Sequence, residues 1–169
     1  MLKNTKIQVF EEVLYHLNSW YKEKNPEKEN DISILKAMKL LFFVSGADVE
    51  NNLFDVFNKF QAWQYGHVES DIYNFYSRNN GKFFSIELDR NTLRIKENYT
   101  PKNGEYSEKI RTNIERIKEI NSDLISYDAF HLVDISHSHL SWDIYYNKLN
   151  RRYEDMEKEM LKYEPKYYR

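Results

Sequence analysis

Asp134, His137 and His139 lie within six residues of one another, and two imidazoles with a carboxylate are a donor set that a divalent metal accepts. A metal-dependent hydrolase built on His137 and His139 is the enzymatic reading this pattern offers. The spacing argues against it, because side chains two apart on a helix point about 200° from each other, and no HExxH or ExxH pattern adds ligands. His137 is expected instead at a helix C-terminus, donating to exposed carbonyls or packing beside Trp142, with a favourable dipole interaction when protonated. His67 beside Glu69 could supply a general base and an orienting carboxylate. No partner nucleophile accompanies them, so His67 is expected to cap a helix or lie on the surface just before one. Four scattered glycines build neither GxGxxG nor GxxxxGK[ST], nor a serine elbow, so phosphate and serine-nucleophile chemistry lack their motifs. The chain reads as a protein that is not an enzyme, with no catalytic residue, metal ligand or cofactor assigned.

The elements that would carry these residues are mostly helical. Ile7, Phe10, Leu14, Leu17 and Tyr21 recur at helical spacing, with Thr5 and Gln8 placed as a capping box. Pro26 and alternating charge mark residues 25–30 as a loop, and Asp31 is the expected N-cap of a second helix running to about Ser45. In that helix Leu40, Phe43 and Val44 widen the apolar stripe of Ile34, Leu35, Met38, Leu41 and Phe42 until little polar face remains, which predicts the central, most buried helix. Leu53, Phe54, Phe57 and Phe60 predict a short helix. From Phe60 to Tyr73 an aromatic cluster, Gly66 and the spacing of Val68, Ile72, Tyr73 and Tyr76 predict a packed loop feeding a further helix. Trp63 and Tyr65 are expected to anchor in the core, each burying roughly 150–250 Å².

Beyond Gly81 the period changes to two, with Phe84, Ile86 and Leu88, then Leu93 and Ile95, predicting a β-hairpin near residues 83–96. Ser107 is the expected cap of a helix carrying Ile110, Ile114, Ile117 and Leu124 on one face. Another helix starts near Tyr127, carries Phe130, Leu132, Val133 and Ile135, and ends near His137. From Ile144 the pattern thins to a narrow stripe of Leu149, Tyr153, Met156, Met160 and Leu161 among charges, read as a partly exposed final helix. Without repeats or a Gly/Ser linker, the expected architecture is a compact, mainly α single-domain bundle with one small hairpin.

At 169 residues such a domain buries roughly 70% of its unfolded surface. Cys 0 excludes a disulfide framework and thiolate metal sites. The longest apolar run, Leu40 to Val44, is far short of the roughly 20 residues of a membrane span. The N-terminus shows no signal-peptide core, so a cytoplasmic protein without a membrane partner is expected. A net charge of -2 gives no general attraction to phosphate backbones. Arg151, Arg152 and Lys148 are followed at once by Glu154, Asp155, Glu157 and Glu159, which cancel their field. Phe83, Phe84 and Tyr99 could stack bases, but no basic groove accompanies them, so no nucleic-acid partner is expected. Abundant Lys, Asn and Ile point to AT-rich coding and a bacterial or phage source.

Three blocks in order, Lys39-Leu40-Leu41-Phe42-Phe43, then Phe60-Gln61-Ala62-Trp63-Gln64-Tyr65-Gly66-His67-Val68 with Tyr73, then Leu132 to His137 with Ser141-Trp142, resemble the Panacea or SocA-like antitoxin domain. The family pattern reads K-L-L-Y-F, F-x-A-W-x-Y-G-P-V and a late L-T-H with P-W. Here His67 and Ser141 stand where that pattern has proline. The resemblance covers roughly residues 7–145, and residues 1–150 are expected to form the Panacea-like domain, with 151–169 a charged helical extension. It implies an antitoxin that neutralises a cognate toxin by direct contact, in one branch as an adaptor delivering the toxin to a protease. The alternative is a phage-associated protein binding a host protein through the same domain. The scaffold signature it marks is Lys39, Phe42, Phe60, Trp63, Tyr65, Gly66, Val68, Tyr73, His137 and Trp142. Partner contact is expected from Tyr76, Tyr145, Tyr146, Tyr153, Met156 and Met160, the last five along the final helix.

Overall fold

The computed structural model describes residues 2–169. Helix α1 (Leu2–Lys24) buries Ile7, Phe10, Val13, Leu14 and Leu17, the face its periodicity marks. The helix is already under way at Leu2, so Thr5 lies inside it and is not its cap. Helix α2 (Ile34–Gly46) is buried at every position except Leu35, including Lys36 and Lys39. Its N-cap is Ser33, whose side chain accepts from the Lys36 amide, and not Asp31. Asp31 instead pairs with Lys36 Nζ at 2.7 Å. With no polar face, α2 has to be surrounded, and it packs against the later helices Ser107–Ile120 and Ala129–His137 and against the strand Gly66–Glu69.

Residues 53–59 hold a turn and bend at 54–57 and not the expected short helix, with Leu53, Phe54 and Phe57 still turned into the core. The expected loop after them is a two-stranded hairpin. Strand β1 (Phe60–Trp63) pairs antiparallel with β2 (Gly66–Glu69), Phe60 opposite Glu69 and Trp63 opposite Gly66. The period is hard to read in the sequence because all of β2 is buried, so no polar residue alternates. Glu69 then accepts from the Asp71 and Ile72 amides and starts α3 (Ser70–Arg78). The second hairpin, β3 (Ile86–Leu88) with β4 (Leu93–Ile95), lies inside the expected range.

Helix α4 (Ser107–Ile120) buries Ile110, Ile114 and Ile117; Ser107 makes no side-chain cap and accepts instead from the Gly104 amide at 2.9 Å. A 3₁₀ turn at Leu124–Ser126 leads to α5 (Ala129–His137), capped by Asp128. Helix α6 (Leu140–Asp143) runs into one π-helical turn at Ile144–Lys148. The single final helix does not form. Asn150 and Tyr153 take positive φ, 50° and 64°, and helix resumes only at α7 (Lys158–Tyr163). Met156, Leu161 and Tyr168 are buried, while Asn121 Nδ2 donates to Tyr168 O at 2.6 Å. The C-terminal residues therefore wrap back onto the body of the fold. The result is mainly α with two small hairpins, and no described helix is long and apolar enough to cross a membrane.

Candidate functional site

The first hairpin has two sides, and the chemistry of the chain is divided between them. On its inner side, Gly66 turns at φ +99°, and a Cβ there would lie 2.5 Å from Ser136 Oγ and 3.1 Å from Lys39 Nζ. Glycine is therefore required by both the dihedral and the space. Lys39 projects from α2 and donates to His67 O, and the Lys39 residue has no exposed surface. Burial away from water pushes its ammonium down to about 7.

His67 is fully buried, correcting the expectation of a capping or surface residue. Its ring lies flat on Phe42, with centroids 3.5 Å apart, and contacts Ser136 Oγ through Nδ1 at 2.7 Å and Ser141 Oγ through Nε2 at 2.8 Å. Ser141 Oγ donates to Glu164 Oε2 at 2.7 Å and Ser141 N to Glu164 Oε1 at 2.9 Å. With Glu164 ionised, the donors run one way. Ser141 gives its proton to Glu164, His67 Nε2–H donates to Ser141, and Ser136 donates to Nδ1 while accepting from the His67 amide at 3.0 Å. Burial, with His139 and Lys39 nearby, holds His67 well below the usual imidazole range, so it is neutral. Burial raises Glu164 against its two bonds from Ser141.

This row of Ser, His, Ser and Glu has the residue types of a hydrolase but not the access. Ser136, His67 and Ser141 are all fully buried, and Ser141 donates to the carboxylate, not to the imidazole that would have to activate it. Its work is to join β2, α5, α6 and the C-terminal segment. The two positions that depart from the family's proline pattern thus meet each other, and each uses a polar atom that proline lacks.

His137 and His139 are separated as their spacing predicts. His139 is buried on Phe42 and Phe43, donates from Nδ1 to Ile135 O at 3.0 Å and accepts at Nε2 from the Tyr167 amide at 3.2 Å. Burial pushes it down to about 4. His137 donates from Nε2 to Gln64 O at 3.0 Å and stacks on Trp142, centroids 3.8 Å apart. Among the described residues, no group of three or more His, Asp or Glu comes together in a way that could hold a metal. Glu69, expected beside His67, faces Lys6 Nζ at 2.8 Å, which also holds Asp71 at 2.8 Å.

The outer side of the hairpin is aromatic. Trp63 is half-buried, not a core anchor, and meets Tyr73 edge-on at 5.0 Å and Tyr153 at 5.4 Å. Tyr65 is 49% exposed, against the expectation that it anchors inside, and its ring meets that of Phe130, 62% exposed, at 6.0 Å. Tyr153, 62% exposed, closes the other side. Between them lies a 340 Å³ cavity with Leu35, Met38 and Val68 in its walls. A second row backs the hairpin tip: Trp142 donates to Trp63 O at 2.8 Å and stacks on Tyr146, over which Arg152 sits 3.9 Å from the ring centroid.

Of the residues expected to contact a partner, Tyr153 is exposed, and Tyr76, Tyr146 and Met160 are half-buried. Tyr145 and Met156 are in the core, corrected because the chain turns away from helix after Lys148: Tyr145 Oη accepts from the Glu157 amide at 3.2 Å and the Met156 amide donates to Phe60 O at 2.8 Å. Phe130, on the helix with the buried Leu132, Val133 and Ile135, faces outward and joins the face.

A family model described as antitoxin SocA-like, Panacea domain, matches residues 37–143. The match takes in Lys39, the whole first hairpin, α5 and Trp142, and stops before Tyr146, Tyr153 and Glu164. No curated protein and no solved structure matches the chain.

Proposed function

Because the chain belongs to the antitoxin SocA-like, Panacea-domain family, we propose that it neutralises a cognate toxin by direct protein contact, using the aromatic outer side of the first hairpin as its docking face. The observation that carries this reading is the exposure of Tyr65, Phe130 and Tyr153 around the Trp63 and Tyr73 cavity. Exposed large aromatics gathered on one face are what interfaces use as anchors, since each ring offers much contact area for few rotatable bonds. The inner side supports the outer one. Lys39, Ser136 and Trp142 hold the hairpin through His67 O, the His67 amide and Trp63 O, so Trp63 and Tyr65 are presented on a fixed frame. Occlusion, not turnover, is the mechanism, and the toxin is a protein met in the cytoplasm.

Co-expression with each toxic small open reading frame adjacent to the gene tests this. Restored growth together with a co-purifying complex is the expected result; restored growth without a complex would exclude direct contact.

A further inference from the structure

A second cavity, of 670 Å³, shares no lining residue with the aromatic one. It opens between α1, the second hairpin and residues 98–106, and Val9, Phe84, Tyr99, Pro101 and Tyr106 give it apolar and aromatic walls. Two carboxylates also line it although both residues are more than nine-tenths buried: Glu11, 2% exposed, and Glu12, 8%. Glu11 is partly satisfied, because Oε2 accepts from the Ser85 amide. Glu12 is not. Among the described residues its charged neighbour is His16, with Nε2 3.9 Å away, beyond hydrogen-bond distance, and burial holds that imidazole below its usual range.

The lysines of the rim do not fill this role. Lys96 Nζ is committed to Phe84 O at 2.7 Å, and Lys102 stands exposed without an ion pair to Glu12. Burial raises the Tyr99 hydroxyl, and Glu11 and Glu12 near it raise it further. With no protein donor on it, the Glu12 carboxylate lines the cavity open to a cation that enters. The cavity is within the size range of small-ligand pockets, roughly 300–1,000 Å³.

We propose that this cavity binds an organic cation, an ammonium or guanidinium group on an apolar stem, with its charged end on Glu12 and its stem against Phe84, Tyr99 and Tyr106. The chemistry is that of a free alkyl amine and equally of an arginine or lysine side chain carried by a partner. Aromatic rings beside the carboxylate favour either, through the attraction of a cation to the ring face. The proposal does not rest on the docking face described above.

Calorimetric titration of the full chain with agmatine, and separately with acetyl-Leu-Arg-Leu-amide, tests it. Saturable binding of either probe is expected, agmatine identifying a free amine as ligand and the peptide alone identifying a presented side chain. Glu12→Gln, which keeps the shape, is expected to weaken binding about tenfold through loss of one charge-assisted bond. Phe84→Ala, at an exposed position that leaves the fold intact, is expected to weaken it about fivefold by removing a cation–π wall. Absence of saturable heat with both probes, or equal affinity of the parent and both variants, would overturn the proposal.

Discussion

Replacing Lys39 by methionine is expected to stabilise the protein near neutral pH, by an amount that shrinks as the pH rises. Lys39 Nζ is fully buried and donates to His67 O, and burial brings its ammonium down to about 7. An unfolded chain holds the same ammonium at about 10.4. The folded state therefore binds fewer protons between those values, and its stability rises with pH across that window as the unfolded lysine loses its proton too. The full difference is worth about 5 kcal/mol, at 1.36 kcal/mol per pH unit. Methionine fills the volume with an unbranched chain and carries no charge; the bond it forfeits at His67 O costs about 1–2 kcal/mol. The net expectation near pH 7 is a gain of about 3 kcal/mol. Guanidinium unfolding of both chains at pH 7.5 and 9.5 provides the assay. Lys36 and Lys166, lowered by burial, and Tyr99 and Tyr168, raised by it, act alike in both chains and cancel from the difference. The gap between variant and parent should close by about 2.5 kcal/mol over those two pH units. A gap that stays constant, or a variant less stable at pH 7.5, would refute the reasoning.

Gly66→Ala is expected to cost about 3 kcal/mol or more, because φ +99° is strained for alanine and its Cβ would lie 2.5 Å from Ser136 Oγ; a thermal midpoint within a degree or two of the parent would contradict the tight turn. The two inner histidines are expected to be neutral but opposite tautomers, His67 protonated at Nε2 and His139 at Nδ1. With His139 pushed down to about 4, long-range nitrogen–proton correlation spectra at pH 5.5 should still show it neutral. The stability it gives is complete above about 6.5, its unfolded value, and is lost as the pH falls towards 4. Imidazolium signals from His67 or His139 at pH 5.5 would count against the buried network.

Periodicity made the helices legible where one face is apolar and the other wet. Ile7 through Leu17 and Ile110 through Ile117 carry that contrast, and α1 and α4 follow from it. It failed where burial is two-sided: β2 has no exposed position, so Gly66 to Glu69 looks like a loop between aromatics. The first hairpin is also held by groups distant in sequence, Lys39 and Ser136 among them, which no local pattern announces. The aromatic face was half legible. Trp63 and Tyr65 are conspicuous in the sequence, but whether an aromatic points in or out depends on what covers it, and the core beneath is already filled by Phe42, Phe54 and Phe60. Charged composition hid the C-terminal segment, whose few buried residues, Met156, Leu161, Glu164 and Tyr168, do not share one helical face because the chain turns at Asn150 and Tyr153.

The central claim is that the outer side of the first hairpin binds the toxin. Its most direct test is the Tyr65→Ala/Phe130→Ala double variant, measured for affinity to the toxin found by co-expression and, in parallel, for thermal stability. Both rings are exposed, so the melting temperature should stay close to the parent's, while two lost anchors at roughly 2 kcal/mol each weaken binding about a thousandfold and abolish growth rescue. A double variant that binds the toxin and restores growth as well as the parent would place the docking face elsewhere on the protein.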